Sequence, residues 1–477
     1  MLFSSIVFLF YFFPVVFVLY YVFSFSRRLQ NIWLLISSLV FYAWGEPVYV
    51  FLMLASILFN SLMGYLVERR TKAWLKHLLL VVAVTGNLSV LFVFKYLQFI
   101  LDMIMPASFK GFSFDLPLPI GISFFTFQAL SYVVDVYRGT TRSENPFYVG
   151  LYISFFPQLI AGPIIQYNSI AEQIRNRKSS IDKISLGICR FTTGLGKKVL
   201  LSNCVASIAD NVFQWSAIGT DKMTVPVMLA WLGSIAYTLQ IYFDFSAYSD
   251  MAIGLGLCFG FKFKENFNYP YIAVSVSDFW RRWHISLTSW FREYVYFPLG
   301  GNKVRNQDKM VRNIFIVWLL TGIWHGANWT FIFWGLYYFI FQLAERFFEY
   351  PSKIKNNFLK HFYTLMVVSV GWVVFRADDL YQAGRFFMNM LGLNHNGFYS
   401  ELAVMLIHEN WVFLLMAVIF CMPIARNMNQ ILYQDENSRK VHIIFTFFYP
   451  LVLLSILIVS VCYLASGTYN PFIYFNF

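Results

Sequence analysis

The sequence predicts an all-α, polytopic membrane protein, because of its composition, its long apolar runs and the placement of its charges. Of the 477 residues, 58% are hydrophobic, 21% are aromatic and 13% are charged, whereas soluble domains average about 25% charged residues. Runs long enough to cross a ~30 Å hydrocarbon layer as helices occupy residues 6–25, 47–67, 78–104, 225–243 and 441–464. We therefore expect one membrane domain over residues 1–477, surrounded by the lipid bilayer.

The positive charges lie mainly between the apolar runs. They include Arg27 and Arg28, residues 68–77, the lysines of residues 353–360, and Arg439 with Lys440. The positive-inside rule makes such loops cytoplasmic, which predicts that both termini are extracytoplasmic. Residues 1–25 lack a basic leader and a small-residue cleavage site, so we expect a retained first span. The net charge of +12 follows this loop pattern and does not indicate a nucleic-acid partner.

The five cysteines are scattered without C-x-x-C spacing. Neither a disulfide framework nor a metal site is expected. The middle of the chain is less regular, since residues 116–122 and 155–164 place Pro and Gly inside apolar sequence. Such backbone is tolerated at membrane depth only inside protein or along a cavity, so these segments predict broken or re-entrant helices. Residues 277–297 mix Trp and Phe with Arg, a pattern typical of a helix at an interface or beside a wet cavity.

His325 is the first candidate site residue. It lies in the apolar run 311–341, and no Lys, Arg, Asp or Glu occurs between Arg312 and Glu345. If a helix starts near Asn313, His325 lies about 18 Å along it at 1.5 Å per residue. An ionisable residue inside a span indicates a functional site. The alternative is a neutral imidazole that donates to a backbone carbonyl in the bundle.

His284 is the second candidate, and Arg281 and Arg282 lie beside it. Arg side chains match phosphate and carboxylate geometrically, although they also serve as anchors for lipid headgroups. The stretch YFDFSAYSD adds Asp244 and Asp250 to an apolar region. We expect these carboxylates mainly to form structural pairs, because a buried charge needs a partner.

The sequence ends in PFIYFNF, which contains Tyr474. By default, such an aromatic segment is an interfacial anchor. A tyrosine can also accept an acyl group if a base removes its proton, because its pKa near 10 keeps it protonated at neutral pH.

These residues lie in segments that resemble the membrane-bound O-acyltransferase (MBOAT) family, of the bacterial alginate O-acetylation type. The resemblance covers residues 41–477. It implies a helical bundle around a central tunnel, with roughly 10–12 spanning helices plus re-entrant or interfacial ones, in the bacterial inner membrane. The matching segments are LPIGISFFTFQALSYVVDVYRG, SFFPQLIAGPIIQY, GLGKKVLLSN, YFDFSAYSDMAIGLGLCFGFKF, SDFWRRWHISLTSWFREYVYFPLGGNK, LLTGIWHGANWTFIFWG and GWVVFRADDL.

The resemblance also implies roles for the candidate residues. The family's buried catalytic histidine falls on His325 and its second characteristic histidine on His284. Residues 466–477 would be an extracytoplasmic tail whose ending fits the pattern Phe-x-Tyr-x-x-Phe, which makes Tyr474 an acyl acceptor. No permanently bound cofactor is implied. Acetyl-CoA would be the acyl donor, with Arg281 and Arg282 attracting its phosphates.

The acyl group would then pass to an extracytoplasmic acyltransferase partner, which modifies a polysaccharide such as alginate or peptidoglycan. One alternative within the family is D-alanyl transfer to teichoic acid. A second alternative, from another class, is a transporter or flippase of lipid-linked sugars, because broken apolar segments and a midplane ionisable residue are also transporter features.

Overall fold

The computed structural model describes residues 1–104, 116–217, 225–301, 306–424, 439–467 and 469–473, with the side chains of residues 439–447 left out. Tyr474 and the side chains of Arg439 and Lys440 therefore lie outside the described residues. The described chain is helical and contains no β-strand, which confirms the predicted all-α class. In chain order, the α-helices of the described residues are α1 Phe13–Val22, α2 Arg27–Gly45, α3 Tyr49–Arg69, α4 Ala73–Lys95, α5 Leu97–Ile104, α6 Ile122–Arg138, α7 Pro146–Ser154, α8 Phe156–Leu159, α9 Tyr167–Asn176, α10 Ile181–Gly196, α11 Asn203–Ala217, α12 Val227–Cys258, α13 Val276–Arg282, α14 Ile285–Phe291, α15 Gln307–His325, α16 Trp329–Phe348, α17 Asn357–Arg376, α18 Leu380–Leu391, α19 Glu401–Phe420 and α20 Arg439–Ala465.

Several helical segments are long and apolar enough to cross a membrane, which confirms a multi-pass membrane protein. The predicted runs 6–25, 47–67 and 441–464 match helical segments closely, and the run 78–104 contains both α4 and α5. The expected 10–12 spans stay a prediction, since that number also depends on helices with more polar side chains. Within the described residues, the six segments that meet the length and hydropathy requirements are Phe8–Phe25, Tyr49–Arg69, Ala73–Lys95, Asn357–Arg376, Glu401–Phe420 and Phe448–Ala465.

The chain forms two compact units. Unit 1 comprises Met1–Phe191, Ser249–Glu265 and Ser289–Leu299, and unit 2 comprises Thr192–Tyr248, Asn266–Thr288 and Gly300–Phe477. Both candidate histidines belong to unit 2.

Unit 1 contains the irregular segments that the Pro and Gly pattern predicts. The helical backbone breaks at Phe155, where ψ is 108°, between α7 and the four-residue helix α8. Every residue of 155–164 is buried, so this irregular backbone lies inside protein, as membrane depth would require.

A buried Arg177, also in unit 1, donates to the Tyr20 hydroxyl at 2.9 Å and to Asn31 Oδ1 at 2.6 Å, which compensates part of the cost of burying its charge.

The expectation of a single helix over residues 277–297, at an interface or beside a wet cavity, is wrong in its continuity, and its location stays a prediction. The segment consists of α13, α14 and the π-helical turn Arg292–Tyr296. The interruption lies at His284, whose φ of 43° is left-handed. A residue in that conformation cannot continue a right-handed helix, and it is strained for any residue with a Cβ.

In unit 2, the apolar run around His325 is a helical hairpin rather than one span. Helix α15 ends at His325, and α16 begins at Trp329 after an extended Gly326. Two glycines allow the two helices to approach closely. A Cβ on Gly322 would lie 2.5 Å from the carbonyl oxygen of Phe331, and one on Gly335 would lie 2.5 Å from that of Trp318. Small residues at such crossings are typical of membrane helices.

Candidate active site

His325 lies at the end of α15 in an aromatic cage within unit 2. It is 8% exposed. Its ring centroid lies 4.9 Å from that of Trp324, 5.0 Å from that of Trp334 and 5.0 Å from that of Phe375. The ring of Phe331 is 6.4 Å away. This cage fixes the imidazole by packing, which is the rigid support that a catalytic group needs.

Two rings of this cage also line a cavity of unit 2. Phe331 and Phe375 both face this cavity, whose volume is about 620 Å³. One wall is polar, because the side chains of Arg376 and Asp210 pair there at 2.8 Å. The rings of Phe331 and Phe375 therefore lie between His325 and this partly polar cavity. The polar residues that line the cavity include Asp210, Gln214, Gln240, Asn328, Thr330, Arg376, Asp378 and Gln382.

His284 is positioned by Asn266, which is fully buried. The oxygen Oδ1 of Asn266 accepts from the backbone N–H of Ser286 at 3.1 Å and from its hydroxyl at 2.9 Å. The same oxygen lies 3.2 Å from Nδ1 of His284, so Nδ1 carries the proton and Nε2 has the lone pair. Among the described residues, Nε2 has no hydrogen-bond partner. It is therefore the ring nitrogen whose hydrogen-bonding capacity remains unused within the described residues.

Electrostatics keep His284 neutral. The residue lies between two seven-residue helices and outside the candidate spanning segments. Burial lowers the pKa of His284 to about 3, because the desolvated site disfavours the charged imidazolium.

The indole ring of Trp324 lies close to the rings of both histidines. The ring centroid of Trp324 lies 6.2 Å from that of His284 and 4.9 Å from that of His325. The 41-residue sequence separation predicted no such proximity. His284 and the end of α15 both belong to unit 2, and tertiary packing brings their rings together.

Arg281 and Arg282 differ in their surroundings. Arg282 is committed to Asp278 at 3.0 Å on the same helix. Arg281 is exposed. Of the two predicted phosphate-binding residues, Arg281 is the one whose position leaves it accessible.

A second cavity in unit 2, with a volume of about 490 Å³, also carries positive charge. Arg346 and Lys360 line it together with one carboxylate, Glu345, and with Ser275, Ser277 and Ser352. Arg346 is exposed, and neither cation forms an ion pair within the part of the chain that the structure describes. Of the two cations, Lys360 lies in a loop that the positive-inside rule predicts to be cytoplasmic, but the sequence pattern does not indicate the cavity itself.

The residues immediately before Tyr474 are held inside unit 2. We call residues 469–473 the anchored segment. Tyr469 donates its hydroxyl to Asp210 Oδ2 at 2.8 Å, and the backbone N–H of Ile473 donates to Asp244 Oδ2 at 2.9 Å. Phe472 and Ile473 are buried and line the cavity that Phe331 and Phe375 also line. For these residues, packing within protein replaces the interfacial anchoring expected by default.

The acidic residues of YFDFSAYSD form the expected structural pairs. Asp244 pairs with Lys198 at 2.6 Å in unit 2, and Asp250 pairs with Arg190 at 2.6 Å in unit 1. Sequence reasoning did not name Lys198 as a partner. The available signal was that Lys198, like Asp244, interrupts an apolar stretch, and opposite charges in such stretches tend to pair. Within the described residues, no group of three His, Cys, Asp or Glu side chains could hold a metal ion.

Comparison with known proteins gives one consistent class. The model of the membrane-bound O-acyltransferase family matches residues 142–371. A probable alginate O-acetylase of Pseudomonas aeruginosa is 43% identical over 400 residues, covering 82% of this chain and 75% of that protein. A peptidoglycan O-acetyltransferase of Helicobacter pylori is 35% identical over 434 residues, covering 83% and 80%. A teichoic acid D-alanyltransferase of Bacillus subtilis is 28% identical over 244 residues, covering 49% and 60%.

Proposed function

This chain belongs to the membrane-bound O-acyltransferase family and is an O-acyltransferase, and we propose that it carries acetyl from cytoplasmic acetyl-CoA to an extracytoplasmic polysaccharide. The relatives that support acetyl over D-alanyl are the O-acetylating enzymes, because their similarity extends over most of the chain. The teichoic acid enzyme matches about half of it. Because the chain belongs to a family of enzymes, the alternative of a transporter or flippase has no support.

The proposed acyl transfer uses Tyr474 as nucleophile and His325 as general base. His325 accepts the proton of the Tyr474 hydroxyl as its oxygen attacks the thioester carbonyl. The carbon–sulfur bond then breaks, an acetyl-tyrosine ester forms, and the CoA thiolate leaves and takes up the proton. General-base catalysis of this kind contributes about 10²–10⁴-fold in rate. The neutral His284, with its lone pair on Nε2, would accept a hydrogen bond from acetyl-CoA next to the reacting thioester.

The observation that carries this proposal is the position of the anchored segment. Its buried end, Ile473, lies in the same cavity as Phe375, whose ring contacts His325. Tyr474 follows Ile473 directly in the chain. The residue that precedes the proposed acceptor therefore lines the cavity that adjoins the proposed base.

The proposed topology separates donor from acceptor. Both termini are extracytoplasmic in the inner membrane, so Tyr474 enters from outside while acetyl-CoA binds from inside. An extracytoplasmic acyltransferase partner would take acetyl from the tyrosine ester through a hydroxyl group and pass it to an alginate-like, peptidoglycan or similar polymer. This division lets the acyl group cross the membrane while the large, charged CoA stays in the cytoplasm.

The donor phosphates require basic side chains at the cytoplasmic entrance. We propose Arg281 for this contact, because it is exposed whereas Arg282 is paired with Asp278. The cavity lined by Arg346 and Lys360 is a second candidate position for a phosphate.

The test uses membranes that contain the protein and acetyl-CoA labelled in the acetyl group. We expect hydroxylamine-sensitive label on the peptide that contains Tyr474. The variant Tyr474→Phe should insert normally and lose that label, whereas Tyr463→Phe, in α20, should keep it. Label on the Tyr474→Phe chain at the same level would exclude Tyr474 as acceptor, and no acetyl-CoA-dependent label at all would exclude acetyl as the transferred group.

A further inference from the structure

A buried ion pair contacts the anchored segment. Lys198 Nζ lies 2.6 Å from Asp244 Oδ1, and their side chains are 3% and 2% exposed. Lys198 belongs to the π-helical turn Lys197–Ser202, and Asp244 belongs to α12. Burying two charges is costly, and such a pair rarely adds stability over apolar residues of similar size. Its presence therefore calls for a role other than holding α12 to the π-helical turn.

Each member of the pair also binds the main chain of the anchored segment. Asp244 Oδ2 accepts the backbone N–H of Ile473 at 2.9 Å, and Lys198 Nζ donates to the backbone carbonyl of Pro471. The two charges thus satisfy one donor and one acceptor on alternate residues. Hydrogen bonds to charged groups are stronger than neutral ones, so these two contacts hold the backbone more firmly than ordinary turn bonds.

The neighbouring residues of the segment have contacts of their own. The amide of Asn203 donates to Asn470 Oδ1 at 3.1 Å. The ring of Phe472 packs 5.2 Å from that of Tyr248. With Tyr469 on Asp210, every residue of the anchored segment has a contact in unit 2, and the ion pair provides those at Pro471 and Ile473.

We propose that Lys198 and Asp244 are positioning residues that dock the anchored segment and thereby present the residue that follows it, Tyr474, for acetylation. The pair acts through main-chain atoms, so it fixes the path of the backbone rather than selecting particular side chains. This inference rests on the proposed acceptor role of Tyr474 for its catalytic consequence, whereas the docking itself is independent of that role.

The first experiment changes the segment and leaves the ion pair intact. Ile473→Pro removes the N–H that Asp244 accepts, and Ile473→Val keeps it. We expect Ile473→Pro to lower acetylation of Tyr474 on the order of 10-fold to 100-fold, as the loss of a hydrogen bond to a charged group predicts. Ile473→Val should stay close to the unchanged chain. Equal acetylation of the two variants would overturn the inference.

The second experiment removes the ion pair without leaving a lone buried charge. Lys198→Met combined with Asp244→Leu replaces both charges by apolar groups, which the fold tolerates better than either single change. Docking is measured in an Ile473→Cys background as the rate at which a maleimide labels the peptide containing residue 473. We expect labelling to accelerate on the order of tenfold or more, at a normal protein level. An unchanged labelling rate would overturn the inference.

A matched control uses the other ion pair of the YFDFSAYSD stretch. Arg190→Met with Asp250→Leu removes a pair that lies in unit 1. Labelling at residue 473 should not change in this variant. If the double Lys198 and Asp244 variant accelerates labelling while Tyr474 is not acetylated even in the unchanged chain, the docking stands and the acceptor role of Tyr474 fails.

Discussion

The ring of Phe375 touches that of His325, with centroids 5.0 Å apart, and the same phenyl group lines the cavity that holds the anchored segment. The side chain of Phe375, on α17, therefore contacts the proposed base and also lines the cavity of the anchored segment, which precedes the proposed acceptor. The two rings pack edge to face at an interplanar angle of 81°, which is a favourable geometry for aromatic pairs.

His325→Ala should abolish acetyl transfer while the protein still inserts. Loss of a general base predicts a fall of about 10²–10⁴-fold in the transfer rate. The measurement is acetyl incorporation per amount of protein in membranes. His408→Ala, at an exposed histidine on α19, is the matched control and should keep the full rate. Substantial transfer by the His325→Ala variant would remove His325 from the mechanism.

Acidic pH should destabilise the protein partly through His284. Its pKa is about 3 in the folded protein and about 6.5 in an unfolded chain. The unfolded chain therefore binds the additional proton below about pH 6.5, and stability falls as the pH is lowered from 7 to 5. We expect the thermal midpoint in detergent to drop less over this interval in His284→Asn than in the unchanged protein.

Asparagine is the appropriate replacement in that experiment because it tolerates the left-handed backbone of residue 284 better than other residues do. His284→Ala would add backbone strain to the loss of the imidazole. If both chains show the same pH dependence of the midpoint, His284 does not titrate between the folded and unfolded states.

Gly322→Ala should weaken the α15–α16 hairpin. The new Cβ would lie 2.5 Å from the carbonyl oxygen of Phe331, so the two backbones would have to separate, at a cost of about 1–3 kcal/mol. Gly384→Ala is the matched control in α18, because a Cβ there meets nothing within 4 Å. That change should be neutral or stabilise by up to about 1 kcal/mol. Thermal midpoints in detergent measure both, and equal midpoints would contradict the close crossing.

Arg281→Ala should raise KM for acetyl-CoA and leave kcat almost unchanged. Arg281 is exposed, and an exposed ion pair contributes up to about 1 kcal/mol, so the expected change is roughly threefold to fivefold. The effect should shrink at high salt because of screening.

The same assay tests the second candidate position for the donor phosphates. If Arg346→Ala combined with Lys360→Ala raises KM while Arg281→Ala does not, the donor phosphates bind in the cavity that Arg346 and Lys360 line. Arg282→Ala serves as a comparison, since its guanidinium is already paired with Asp278.

The helical class and several helix bounds were predictable because local sequence controls them. Long apolar runs must form helices in a bilayer, where every backbone polar group needs an internal partner. The breaks were harder to predict. The interruption at His284 depends on Asn266 as a distant hydrogen-bond partner, and the end of α15 at His325 depends on how closely Gly322 lets the next helix approach.

The amino-acid sequence by itself determined that this is a helical membrane protein with costly polar residues, His325, His284 and Asp244, in apolar surroundings. Burial cost is a local property of a side chain in its segment, so it is visible without coordinates. Only the tertiary structure decided the partners: Trp324 for both histidines, Lys198 for Asp244, and that pair for the anchored segment. Those pairings join residues far apart in the chain, and packing, rather than sequence spacing, brings them together.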